Sequence, residues 1–431
     1  MEPSDITSFL QAALAPDEIV KFLFRAWLII VGLFWNTWAV LAQRWQTRRW
    51  KQTPDAVHPY FTRGRNFIVT GPTSGIGKET AKELALCGAN VVLACRDVSA
   101  GQKVLSEIKK EGKKHKVEVN VEVVHLDLRS FMSVRAFAHE WEQRGQPLHC
   151  LINNAGVFIR GLNWAPITEE GFEEHFQVNF LAPALLSLLL LPSLLQGAPS
   201  RIVNITSEGH KLVTTVDLEG MRRGKGKHWY AWSMFGAYCQ SKLASTIFSI
   251  ELHRRLPSTA HTEVVAMHPG FCGTEGIRNF LWVVQWFYKA LGPLLGIFLT
   301  CNEGARGPLF AATSPVVVAQ ARRLRALQSR KGPYYNAGGY AETVGPQAQD
   351  PRLAAELWDE TMHILNLPTD YVERKVSAHL KSRPETAGRE AEMIEAEAMN
   401  VTLPEENTGW SRLVGYVPQS WFKWVKWVKW L

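Results

Sequence analysis

Six short apolar runs recur at intervals between Asn66 and His268: "NFIVT", "NVVLAC", "VEVVHLDL", "LHCLINN", "SRIVNIT" and "TEVVAMH". Helix-like stretches such as "GKETAKELALCG" and "SFMSVRAFAHEWEQRG" separate them. Strand alternating with helix predicts a parallel sheet with helices on both faces. Runs that are apolar at nearly every position suit strands covered on both sides. The fold class expected is therefore α/β with a doubly wound parallel sheet, in one catalytic domain over about residues 65–367.

The first run leads into "IVTGPTSGIGKET", where Gly71, Gly75 and Gly77 follow a strand and open a helix. Glycine lets the backbone turn tightly and approach a pyrophosphate, and the helix N-terminus then offers N–H groups and partial positive charge. Ser74 and Ile76 lie inside the same turn. In this strand–turn–helix setting the pattern predicts a dinucleotide-binding, Rossmann-type fold. The end of the second run points to the cofactor. An NAD-preferring fold often places an acid there for the ribose hydroxyl. Here the run ends Ala94-Cys95-Arg96, and a guanidinium suits a 2′-phosphate. NADP(H) is favoured over NAD(H), with Lys78 as a second candidate charge and Asp97 as the competing hydroxyl partner.

"AYCQSKLA" places Tyr238 and Lys242 four residues apart, on one face of a helix. A free phenol has a pKa near ~10 and is a poor acid–base group at neutral pH. A neighbouring ammonium is expected to lower it. Ser207 ends "RIVNITS" at the carboxyl edge of a strand, where open α/β sheets place their active sites, and its hydroxyl could hold a substrate oxygen. Asn179, in "FQVNFLAPALL", could anchor a water leading to Lys242.

Taken together these motifs resemble the short-chain dehydrogenase/reductases over about Arg65 to Leu367. The resemblance rests on "TGPTSGIG", Asp127-Leu128, "NNAG" at Asn153 to Gly156, Asn179, Ser207, "YCQSK" and "HPGFCGT" from His268 to Thr274. It implies a catalytic tetrad of Asn179, Ser207, Tyr238 and Lys242. It also implies that Asp127 and Leu128 lie at the adenine end, that Asn154, Ala155 and Gly156 line the cofactor, and that Pro269, Gly270 and Thr274 lie near the nicotinamide, with Lys242 by its ribose. "LACRD" and "GIGKET" look like the retinol dehydrogenase branch. "FQVNF", "APSRIV" and "ELHRRL" are similar to the WW-domain-containing oxidoreductase, though no WW domain precedes the fold here, and the layout is similar to plant "forever young"-type oxidoreductases. Ala182 stands where the family often has glycine and Thr206 where it usually has serine. Lys211 to Ala237 is longer than in the shortest members and carries Arg222, Arg223, Lys225 and Lys227, which bind lipid headgroups or are merely solvated.

The flanks read differently. Ala26 to Gln43 carries no charge and is followed by Arg44, Arg48, Arg49 and Lys51, which predicts a membrane anchor at about 22–43, within a 1–60 segment, with the catalytic domain facing the cytosol. Residues 368–409 read as a charged linker and 410–431 as an amphipathic tail. The tail ends "WFKWVKWVKWL", whose rings and lysines fall largely in opposite helical sectors, as in a helix lying flat in an interface. The family resemblance implies that the stretch after the Pro-Gly motif covers the substrate, which makes the apolar Phe280 to Leu299, broken by Gly292, Pro293 and Gly296, a candidate lid over an apolar substrate. Charged residues make up 20%, too many for a polytopic membrane protein. The +8 balance does not predict nucleic-acid binding, because the tail lysines sit beside rings and not along a polar groove. The six cysteines form no C-x-x-C pair and no metal-ligand spacing, so reduced thiols and no metal are expected.

The function expected is a membrane-associated oxidoreductase moving hydride between NADP(H) and a hydrophobic alcohol or carbonyl: a retinoid, sterol or prenol. The endoplasmic reticulum or a lipid droplet is the expected location, and an oligomer is left open. The alternative is a catalytically quiet, cofactor-binding regulatory scaffold at a membrane.

Overall fold

Ile68, Val69, Leu93, Ile152, Val203 and Val265 are fully buried, one or two from each of five strands, as continuous apolar runs require when helices cover both faces of a sheet. The computed structural model describes residues 61–159, 166–223, 234–270, 272, 299–327, 329 and 331–382. The expected anchor, Thr274, most of the candidate lid, the basic residues Lys225 and Lys227, and the tail lie outside them. No helix among the described residues is long and apolar enough to cross a membrane.

The chain alternates as its pattern predicts. Strand β1 (Asn66–Thr70) leads to α1 (Gly75–Leu86), β2 (Asn90–Cys95), α2 (Val98–His115), β3 (Asn120–His125), α3 (Phe131–Gln143) and β4 (Cys150–Asn153). Then come α4 (Ala182–Leu189), α5 (Leu191–Gln196), β5 (Ser200–Ile205), α6 (Leu218–Arg223), the long α7 (Met234–Arg255) and β6 (Thr262–Met267). Helices α8 (Cys301–Thr313) and α9 (Pro315–Ala326) precede the two-residue β7 (Tyr334–Tyr335), and α10 (Pro351–Ile364) and α11 (Tyr371–Ser382) follow it. The order in the sheet is β3-β2-β1-β4-β5-β6-β7, and every pairing is parallel. The order reverses between β1 and β4, which opens a crevice at the carboxyl ends of the strands.

Local chemistry sets the helix ends. Asp97 caps α2, whose last turn carries Lys113, Lys114 and His115 against the negative end of the helix dipole. Thr300 and Glu303 form a reciprocal capping box on α8, and Pro315 opens α9, where its missing N–H costs nothing. The packed body runs past the expected boundary at Leu367. Val372 and Val376 of α11 are buried in the same core cluster as α10, whose Trp358 stacks on Phe248 of α7 at 5.6 Å and 12°. The first part of the expected linker is therefore helix anchored by apolar burial.

Candidate active site

Because all strands run the same way, one edge of the sheet collects the segments that follow them: Gly71 after β1, Arg96 after β2, Asp127 after β3, Asn154 after β4, Ser207 after β5 and His268 after β6. The glycine turn sits in this row. Gly71 and Gly75 take φ of +63° and +59°, a region that side chains rarely adopt. A Cβ added at Gly71 would lie 2.9 Å from Ala155 Cα, and one at Gly77 would collide with the Asn154 side chain and the Gly71 carbonyl. Ser74 precedes α1 without capping it, and the first turn holds no acidic residue, so the positive end of the dipole is left to a ligand. This turn fits a pyrophosphate.

Asn154 and Ala155 are laced to the end of β1. Thr70 Oγ1 accepts from the backbone N–H of Asn154 at 3.1 Å and of Ala155 at 3.0 Å, while Asn154 Nδ2 donates to the Thr70 carbonyl at 3.0 Å. Asp127 Oδ1 accepts from the Arg129 N–H at 2.9 Å, and Leu128 is buried beside it.

Arg96 and Asp97, adjacent in sequence, stand in different circumstances. Asp97 is spent on the cap of α2: its Oδ1 accepts from Ala100 N at 3.0 Å and Ser99 Oγ at 2.8 Å, bonds that hold the carboxyl below its ordinary pKa. Arg96 is exposed, and no hydrogen bond or ion pair holds it among the described residues. Lys78 forms an ion pair with Glu107, which weakens its claim to a cofactor phosphate.

Asn179, Ser207, Tyr238 and Lys242 converge on one side of this edge. Asn179 lies in a π-helical turn, Gln177–Leu181, an irregularity found often at functional sites. Its Oδ1 accepts from Val157 N at 2.8 Å, and its Nδ2 donates to the Val157 carbonyl at 3.0 Å and to Ser241 Oγ at 3.1 Å. A Cβ on Gly156 would stand 3.2 Å from Asn179 Oδ1 and 3.4 Å from Lys242 Nζ, so a side chain there would crowd both polar groups. Lys242 Nζ donates to the Ile205 carbonyl at 2.9 Å. Ser207 meets the phenol of Tyr238 in a hydrogen bond, and its Oγ accepts from Gly209 N at 3.1 Å.

The electrostatics depart from expectation. Burial pushes the Tyr238 phenol up to about 12, and the Ser207 hydrogen bond only partly opposes it. Burial pulls the Lys242 ammonium down to about 8. Desolvation is the largest cause of both shifts, so it favours the neutral form of each group. Two neighbours escaped the sequence reading. Phe158 packs on the Tyr238 ring at 4.6 Å, and His175 meets it edge-on at 6.1 Å. His175 Nε2 accepts from Ile159 N at 2.9 Å, with Nδ1 turned to Glu173 at 2.5 Å. Its position one helical turn before Asn179 was the available signal.

The short chain dehydrogenase family model matches residues 65–215. The dehydrogenase/reductase SDR family member FEY of Arabidopsis thaliana is 38% identical over 309 residues, covering 72% of this chain and 80% of the relative. The chain belongs to the short-chain dehydrogenase family. Within the family it is retinol-dehydrogenase-like. Polyprenol dehydrogenase of Mus musculus is 38% identical over 70% of this chain and 84% of its own length, and human retinol dehydrogenase 13 is 36% identical over 70% and 85%. A crystal structure of an uncharacterized protein from Mycobacterium Paratuberculosis superposes with a TM-score of 0.51 at 29% identity, covering 72% of this chain and 96% of that one.

Proposed function

We propose that this oxidoreductase interconverts a hydrophobic carbonyl and its alcohol with NADP(H), with Tyr238 as the acid–base group. A nicotinamide dinucleotide, when bound, supplies or takes the hydride. The chain's own residues do the rest. Gly71, Ser74, Gly75, Ile76 and Gly77 would hold the pyrophosphate, Asp127 and Leu128 the adenine end, and Asn154 to Gly156 with Pro269, Gly270 and Thr274 the remainder. Ser207 holds the substrate oxygen beside the Tyr238 hydroxyl. Tyr238 gives its proton to that oxygen in reduction and receives one in oxidation. Lys242 and Asn179 support the proton path from either side of Gly156.

One observation carries the reading: the Tyr238 phenol is hydrogen-bonded to Ser207 and stands one helical turn from Lys242. Preference for NADP(H) rests on Arg96, which is exposed, while Asp97 is consumed by its helix cap. The names of polyprenol and retinol dehydrogenases support an apolar substrate class, as does the apolar stretch after Thr274. Membrane association rests on the residue 22–43 segment and the Trp/Lys tail, with the catalytic body on the cytosolic side of the endoplasmic reticulum or a lipid droplet.

The test is turnover of retinoid, sterol and prenol aldehydes in detergent, with NADPH and NADH side by side and a short water-soluble aldehyde as control. Tyr238→Phe should abolish turnover by about 10²-fold or more while leaving nucleotide binding intact. Unchanged turnover in that variant, or equal use of the water-soluble aldehyde, would refute the proposal.

A further inference from the structure

Immediately behind Ser207 four charged side chains from three separate segments meet, His268 buried and Glu208, Lys211 and Glu342 half-buried. Glu208 and Lys211 belong to the short 3-10 turn, Glu208–Leu212, that Ser207 caps. His268 is the residue before Pro269-Gly270. Glu342 stands on the return of a hairpin that continues β7, where its N–H bonds the Tyr334 carbonyl at 2.9 Å. Lys211 Nζ lies 2.9 Å from Glu208 and 3.4 Å from Glu342, and His268 Nε2 lies 3.2 Å and 3.5 Å from the same two carboxylates. The Tyr334 hydroxyl donates to Glu208 at 3.1 Å, and Asn336 Nδ2 donates to Glu342 at 3.0 Å.

We infer that Glu208, Lys211, His268 and Glu342 form a charge-balanced brace that positions Ser207 and the Pro269-Gly270 turn for the reaction. The inference rests on the function proposed above. Three of these groups are close enough to clasp a cation, their ligand atoms lying within 4.8 Å of one another, and the cation present is the Lys211 ammonium. One ammonium balances one of the two carboxylates. A protonated His268 would balance the other, and it is the group that faces both acids. Burial alone would pull its imidazolium down, but the Glu208 and Glu342 carboxylates outweigh burial and raise its pKa above the ordinary value.

His210, nearby, does the opposite. Its Nε2 accepts from Gly345 N at 3.2 Å, so that nitrogen carries no proton, and its Nδ1 donates to the Ser207 carbonyl at 2.7 Å. Burial keeps it neutral, with its pKa pulled down to about 4. Ser207 is thereby tied on one side to the Gly345 loop through a neutral imidazole, and on the other, through Glu208, to the turn that follows β6. None of the four charged groups needs to touch substrate. They are positioning residues, holding a serine whose hydroxyl must meet both the phenol and the substrate oxygen.

The sign of the pH effect follows. A raised histidine pKa extends the brace to higher pH than an ordinary imidazole would allow and releases it as pH climbs through that value, leaving two carboxylates with one cation. The test uses the full chain in detergent micelles labelled with ¹⁵N-histidine, with His268→Asn to assign its signals. At about pH 7 the His268 ring should carry protons on both nitrogens while His210 stays neutral. A neutral His268 at that pH overturns the proposal, and this measurement needs no turnover. The second arm is Glu342→Gln. The alkaline fall in kcat should move down by about one pH unit, with KM for nucleotide within about twofold. A loss of kcat that is equal at every pH overturns the positioning role. If Glu342→Gln does not accumulate folded, the titration of the unsubstituted protein decides. If the unsubstituted enzyme turns nothing over, the proposed function fails while the titration still judges the brace.

Discussion

The Lys242 ammonium lies 5.8 Å from the centre of the Tyr238 ring, one turn along the same helix, and burial moves the two groups in opposite directions. The phenol keeps its proton; the amine is inclined to lose one. A buried amine without a carboxylate partner is a cost to the fold that function explains. Its folded pKa of about 8 lies below the 10.5 of an ordinary lysine, so the unfolded chain binds more protons between those values. Stability therefore rises with pH across that window, and the penalty is fully present below it.

Lys242→Met should accordingly raise stability at neutral pH by on the order of 1 kcal/mol or more, seen as a higher melting temperature, while removing turnover. The gain should shrink as pH is raised from about 8 toward 10. Thermal melts of both proteins without added nucleotide, taken across that range, check it. A variant no more stable than its parent at pH 7 would show that the amine carries no burial penalty.

Gly77 is a second point of strict fit. Alanine there would drive a methyl group into Asn154 and the Gly71 carbonyl, and backbone cannot rotate away as a side chain tip can. Gly77→Ala should destabilise by about 1–3 kcal/mol and weaken nucleotide binding by about tenfold or more. Protein fluorescence quenching by NADPH measures the second effect. Unchanged affinity would mean that the turn does not carry the pyrophosphate.

The cofactor preference turns on one exposed guanidinium. Arg96→Ala should lower kcat/KM for NADPH by about tenfold and leave NADH nearly unchanged, because only the former offers a phosphate to pair. The difference should shrink at high salt, as an exposed pair is screened. Parallel loss with both nucleotides would remove Arg96 from that role.

How much of this was legible in the sequence varied with the range of the interaction. β1, β2, β4, β5 and β6 could be read because each is apolar at nearly every position, and Tyr238 and Lys242 because a four-residue spacing fixes a shared helix face. β7 could not: two tyrosines give no periodicity, and the strand exists only because β6 offers an edge to pair with. The pairing of Lys78 with Glu107 and of Lys211 with Glu342 joins residues far apart in sequence, which no local pattern encodes. Nor did local pattern foresee the direction of the phenol's pKa. Its neighbour was visible, but the burial that dominates it is a property of the packed site. Asp97 as a helix cap was readable, since an aspartate precedes the helical run, and it was weighed only as a ribose ligand.

The π turn at Asn179 gives the sharpest test of the site's own construction. Its amide uses both ends against Val157, accepting from the N–H and donating to the carbonyl, and spends its remaining donor on Ser241. Ser241 Oγ in turn donates to the Tyr238 carbonyl at 2.7 Å, so the chain of bonds reaches the acid–base residue. Asn179→Asp preserves size but turns a carboxylate oxygen toward the Val157 carbonyl, replacing attraction by repulsion in a buried place. It should cost about 1–3 kcal/mol or more of stability and lower kcat more than Asn179→Ala does, since alanine leaves groups unpaired without opposing them. Melting curves and steady-state kinetics on the two variants decide the order. If the aspartate variant proves the more active of the two, the amide's donors are not what holds Val157 and Ser241 in register with Tyr238.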